Sequence, residues 1–200
     1  MKKTPQEFKR DSVKQLFEKV LQSQAVKLSP LTINVGESWK SDFTSVNLSC
    51  ELTKSENVEI LNGQEELAKG FVDGIFKICF KIFSDENLSL SNIELCDYRV
   101  KPSFKKSETT SGFDAKVGVC VMMKVKDHGI AEFSSVSRSV LYSSYAAILE
   151  AFQFYVNCEK TFCKLQLILQ DAKERNRGDI VQECLSDLSK LTEVNTYGKE

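Results

Sequence analysis

The sequence predicts an α+β fold: two pseudo-two-fold β-β-β-α units flanked by an N-terminal helix and a C-terminal helical hairpin. Three observations carry this. Apolar residues alternate with polar ones in two separate stretches, near 46–60 and 93–136. Each stretch leads into a nearly all-apolar run of helical length, Phe71 to Phe83 and Val140 to about Asn157. The composition, 200 residues with 42% hydrophobic, 28% charged, 9 Gly and 3 Pro, is that of an ordinary globular chain and excludes a collagenous, mucin-like or wholly disordered one.

Taken in order, Thr4 can cap a helix, Pro5 suits its first position and Glu7 completes a capping box. Val13, Leu16, Phe17, Val20 and Leu21 recur at helical spacing, predicting an amphipathic helix over 5–23. Ser29-Pro30 and Gly36 read as a connector to a domain that begins near Trp39, a large aromatic suited to anchoring the first strand. Val46, Leu48, Cys50 and Leu52 alternate as a half-buried strand, and Val58 and Ile60 follow. Asn62-Gly63 is the pair best suited to a two-residue hairpin turn. The helix 71–83 has one polar stripe, Asp73, Lys77 and Lys81, which reads as a solvated face with an Asp73–Lys77 pair worth ~0.3–0.5 kcal/mol.

The second unit repeats the plan. Ile93 to Val100 is a strand, 103–112 a polar loop, and Ala115 to Val125 a strict alternation. Asp127-His128-Gly129 turns the chain, Ile130–Val136 returns, and the second apolar helix follows. Phe162 to Ala172 and Ile180 to Leu191 form the helical hairpin, with Asn176-Arg177-Gly178 between them; nothing between Val156 and Phe162 breaks a helix, so the second unit's helix can run on. The expected organisation is 1–38 helix and connector, 39–157 the paired units (39–84 and 85–157), and 158–200 the hairpin. Both apolar helices need covering on more than one side, which a homodimer would supply.

The 27 basic and 28 acidic residues leave a net charge of -1, which offers no electrostatic attraction to nucleic acid or an anionic membrane. No apolar run approaches the ~20 residues that cross a bilayer, and no apolar segment follows the N-terminal lysines, so a cytoplasmic location is expected. Seven cysteines without C-x-x-C spacing argue against a disulfide framework or zinc ribbon and suit buried thiols in a reducing compartment. Cys158 and Cys163 are expected to be inert. The single histidine, His128, excludes a metal site built on a His pair and reads as an exposed turn residue. No nucleophile–base–acid set is visible, so no enzyme, metal or cofactor is expected.

One stretch resembles a known signature. Lys69-Gly70-Phe71-Val72-Asp73-Gly74-Ile75-Phe76-Lys77-Ile78 resembles the Gly-Pro-Val-Asp-Ala-x-x-x-Ala motif of the C-terminal regulatory domain of 2-isopropylmalate synthases, also found in citramalate synthases. Leu95-Cys96-Asp97-Tyr98-Arg99-Val100 is similar to that domain's leucine-x-x-tyrosine strand, and Asp114-Ala115-Lys116-Val117 to its second-unit strand. Ser137-Arg138-Ser139-Val140-Leu141-Tyr142-Ser143-Ser144 is similar to its Ser-x-Asp-Ile-Ile-x-Ala-Ser helix start. The resemblance spans about residues 39–157. It implies a dimerising, non-catalytic module that senses leucine or isoleucine near the junction of its units and regulates a synthase catalytic subunit.

The implied ligand-binding residues are Gly70, Phe71, Val72 and Asp73 at one helix start, and Ser137, Ser139 and Ser144 at the other. Helix N-termini favour a carboxylate through their unpaired N–H groups. The chain departs from the motif at Ala68, Phe133 and Ser135, where the family has glycine, at Phe71, where it has proline, and at Ser139, where it has aspartate. The added side chains crowd a ligand's approach. Phe71 and Phe133 packed inward across the junction would instead mark a degenerate interaction scaffold without a small-molecule ligand. The synthase's catalytic (β/α)8 barrel alone needs about 250 residues, so this chain cannot contain one.

Overall fold

The computed structural model describes residues 5–38, 40, 42–103 and 116–197. Thr4, Trp39, Asp114, Ala115 and residues 104–112 of the expected polar loop lie outside the described residues. The fold is α+β as the periodicities predict: two three-stranded antiparallel sheets, four α-helices and the order α, βββ, α, βββ, α, α.

Helix α1, Pro5–Leu16, widens into a π turn at Phe17–Leu21 and then tightens into a 3-10 turn at Gln22–Gln24. Its apolar face, Val13, Leu16, Phe17, Val20 and Leu21, is buried. The segment expected to be a connector is a strand. Lys27–Glu37 forms β1 and pairs antiparallel with β2, Thr44–Lys54, along nearly its full length. Pro30 is tolerated because β1 is an edge strand and the register shifts between Pro30 and Thr32. The first unit's sheet therefore starts before Trp39, with Leu28, Ile33 and Val35 turned to the core.

The first hairpin turn is also elsewhere than expected. β2 and β3, Asn57–Ala68, are joined through Ser55-Glu56, with Ser55 at φ 56°. Asn62 and Gly63 lie inside β3, opposite Ser49 and Leu48. Gly63 serves packing rather than turning: a Cβ there would overlap Ile78 Cγ2 of α2, Phe71–Phe83. On the helix side, a Cβ on Gly74 would sit 2.5 Å from Val46 Cγ2. The two glycines let α2 press onto the sheet.

The second sheet comprises β4, Ile93–Ser103, β5, Lys116–Val125, and β6, Gly129–Ser137. Asp127 at φ 65° and Gly129 at φ 92° make the expected turn. Helix α3 runs from Val140 to Glu174, so the second unit's helix and the first arm of the hairpin are one 35-residue element. Asn176, at φ 53°, turns the chain into α4, Gly178–Thr192.

Helix α3 is the axis of the core. It packs on β5 and β6, on β1 of the other sheet, and on α2, α1 and α4. Phe152 meets Phe76 at 5.4 Å and Phe83 at 6.1 Å; Phe154 meets Phe17 at 5.7 Å and Phe133 at 5.9 Å. Burial of each such ring is worth roughly 1.5–3 kcal/mol. Helix α2 lies between its own sheet and α3, and the stretch of α3 from Ser143 to Cys158 is largely buried, while Leu167 and Ile168 further along it are exposed. Among the described residues, no helix is long and apolar enough to cross a membrane.

Candidate functional site

The first expected site residues lie at the start of α2. Gly70 is extended, at φ 169°, and nothing lies within 4 Å of where its Cβ would be. Phe71 and Val72 are half-buried against the core. Asp73 is engaged within its own turn: its Oδ2 accepts the Lys69 backbone N–H at 2.9 Å and pairs with Lys77 Nζ at 2.8 Å. Partial burial works to raise the Asp73 pKa, but Lys77 and the Lys69 N–H outweigh it and hold the carboxyl below its ordinary range.

At the start of α3 the serines bond to one another and to the backbone. Ser139 caps the helix, its Oγ accepting the Tyr142 N–H at 3.2 Å. Ser137 Oγ accepts the Ser139 N–H at 3.0 Å and lies 2.7 Å from Ser143 Oγ, which in turn reaches Val117 O at 3.3 Å. Ser144 Oγ donates to Val140 O at 2.7 Å. Ser143 and Ser144 are wholly buried. Ser137, Ser143 and Ser144 direct their protons to Ser139 O, Val117 O and Val140 O, which leaves them little donor capacity for an added carboxylate, whereas Ser139 is exposed and accepts only.

Tyr98 on β4 joins the two helix starts. Its ring stands edge-on to Phe71, 6.2 Å between centroids and 90° between planes. Its hydroxyl lies 2.9 Å from Ser144 Oγ. Because Ser144 spends its proton on Val140 O, the tyrosine donates. The structure thus brings together Phe71 and Ser144 of the expected residues, through a residue the site reading missed. Tyr98 was visible as the tyrosine of the leucine-x-x-tyrosine strand resemblance, which marks a strand but not the neighbour its ring meets.

Phe133 is fully buried, but not beside Phe71. It packs on Phe154 and Tyr155, each 5.9 Å away, and under the Arg10 guanidinium at 4.7 Å. Phe154 is 14 residues beyond Val140, about 21 Å along the helix axis. Phe133 therefore closes the space between β6, α3 and α1, where Arg10 Nη1 also donates to Glu132 O. Phe71 and Tyr98 close the junction itself.

Most of the remaining reactive groups are buried, with Cys96 and Cys163 the exposed thiols. All seven cysteines are free. Burial pushes the thiol pKa values of Cys50, Cys79 and Cys158 up, away from the reactive thiolate. Tyr145 is buried beside Cys50 and Cys79, and its phenol pKa is raised by the same desolvation. His128 Nε2 lies 3.0 Å from Thr196 Oγ1, a contact with the C-terminal segment rather than with a reactive partner. Among the described residues, no three His, Cys, Asp or Glu side chains are grouped to hold a metal ion. A concavity of about 400 Å³ does exist, lined by Thr32, Asn34, Asn47, Ser49, Asn62 and Gln64. It lies on the face of the first sheet turned away from α2.

No family model matches the chain, and no curated protein matches it.

Proposed function

We propose that this protein is a non-catalytic interaction module, built on a scaffold like that of the amino-acid-sensing domain of 2-isopropylmalate synthases but with the junction between its units occupied by its own side chains. One observation carries this reading: the Phe71–Tyr98–Ser144 contact sits where the resemblance implies an effector, and spends the hydroxyl that would receive it. The sealed serines of the α3 start support it, as do the buried thiols. Seven unpaired cysteines fit work in a reducing compartment such as the cytoplasm. The role that follows is regulatory or structural, exerted on a partner protein such as a synthase catalytic subunit.

Calorimetric titration of the full chain with leucine, isoleucine and valine at millimolar concentration tests this. The expected result is no saturable heat and no shift in melting temperature. Saturable binding of any of the three would replace the scaffold reading with effector sensing, for which the open space at Gly70 leaves the α2 start accessible.

A further inference from the structure

We propose that Val194–Tyr197, the segment after α4, is a releasable strap that covers Phe162 and Cys158 of α3. This rests on contacts independent of the proposed function. The strap crosses from α4 to the turn at Leu88–Asn92 and the β5–β6 hairpin. Asn195 is wholly buried, its Nδ2 donating to Ser89 O at 3.4 Å and its Oδ1 accepting the Thr196 N–H at 2.9 Å. Asn92 Nδ2 donates to Thr196 O at 3.1 Å, and Thr196 Oγ1 meets His128 Nε2 at 3.0 Å. Tyr197 then lays its ring flat on Phe162, 4.5 Å between centroids and 17° between planes. Near the phenol lies the fully buried thiol of Cys158.

Opposed features make the seal reversible. The strap has no sheet ladder: its backbone N–H bonds run from Val194 and Asn195 back to Leu191 O and from Thr196 to the neighbouring Asn195 side chain. Its other polar anchors come from single side chains, one of them at the long end of hydrogen-bond range. The Tyr197 hydroxyl is buried with no hydrogen-bond partner, so nothing replaces the water it would bond outside. Ring stacking and the burial of Asn195 hold the strap closed, while the phenol draws it open. A segment with so few contacts belongs to the least stable part of a fold and opens without global unfolding. Its release uncovers the Phe162 ring and the Cys158 thiol.

Native-state labelling with a small thiol reagent, read cysteine by cysteine by mass spectrometry, tests the strap in the full chain. Cys79 on α2 is equally buried and remote, so it reports global opening. Tyr197→Ala removes the stacking ring and is expected to raise the Cys158 labelling rate about tenfold or more with Cys79 unchanged. Tyr197→Phe keeps the ring and deletes the unsatisfied hydroxyl, so it is expected to slow Cys158 labelling below wild type. The proposal is overturned if Cys158 in Tyr197→Ala stays as protected as in wild type. It also fails if Cys158 and Cys79 rise together, or if Tyr197→Phe speeds labelling.

Discussion

The two β-β-β-α units share a plan and satisfy their apolar helices in opposite ways. In the first, a 13-residue helix gains contact by close approach: Gly63 and Gly74 remove two Cβ atoms so that α2 can press onto the sheet. Its start is open at Gly70 and its outer face keeps the Asp73–Lys77 pair in water. In the second, a 35-residue helix gains contact by being wrapped, with α1 and α4 added around it and its start sealed by serine hydroxyls. Apolar helices can be accommodated by thinning an interface or by adding layers to it. This molecule does each once.

The largest test of that contrast is Phe133→Ala. The ring is fully buried among Phe154, Tyr155 and Arg10, where α1 meets the second unit. Its removal is expected to cost about 3–5 kcal/mol, measured by urea denaturation. Phe71→Ala, at the half-buried contact with Tyr98, should cost clearly less. Equal losses would mean that the first unit's junction is packed as deeply as the wrapped core, and the contrast would fall.

Next in size is Gly63→Ala. The new methyl overlaps Ile78, so α2 must move off the sheet, and a loss of about 1–3 kcal/mol is expected in the same assay. Gly118→Ala in the second unit is its control. A Cβ there meets Lys101 O at 3.5 Å and Val136 Cγ2 at 3.8 Å, ordinary contacts, so the change is expected within about 0.5 kcal/mol of neutral. A neutral Gly63→Ala would show that close approach is not how α2 is held.

That pair also shows what could be read from the sequence. The bounds of α2, the Asp127-His128-Gly129 turn and the duplicated plan were legible, because periodicity and turn chemistry act locally. Asn62-Gly63 misled, because a glycine required by a helix packed against the strand looks the same in sequence as one required by a turn. β1 was hidden by Pro30 and Gly36, which an edge strand with a shifted register tolerates. At the site, the helix starts were found from their own residues. Tyr98 was not, since its partners Phe71 and Ser144 are distant in sequence and met only through the fold. Phe133 was read as a junction residue by alignment to a glycine; its true neighbours come from α1 and the middle of α3.

A smaller effect probes the wrapping of the second unit by charge. Asp187 on α4 has only 5% of its side chain exposed and pairs with Lys19 at 2.6 Å and Lys190 at 2.8 Å. Burial works to raise its pKa, yet the two lysines prevail and hold it below the ordinary 3.8. A carboxyl with a depressed folded pKa stabilises fully above its unfolded pKa, and that stabilisation drains away as pH falls through the folded value. Asp187→Asn is expected to cost about 1 kcal/mol at neutral pH. It should also flatten the decline in melting temperature below about pH 4. An unchanged acid limb would assign that decline to other carboxylates.

The smallest expected effect tests the one contact that joins the units at their helix starts. Tyr98→Phe keeps the ring against Phe71 and deletes only the hydroxyl that donates to Ser144. Ser144 retains its bond to Val140 O, so no buried donor is orphaned, and a loss of about 0.5–1.5 kcal/mol is expected. Ser144→Ala removes the acceptor and strands the Tyr98 hydroxyl instead, and should cost more than Tyr98→Phe. In the double variant both partners are gone, so the losses should be less than additive, as they are for groups in direct contact. Strict additivity would mean that the two hydroxyls do not bond, and that the junction is left able to receive a ligand.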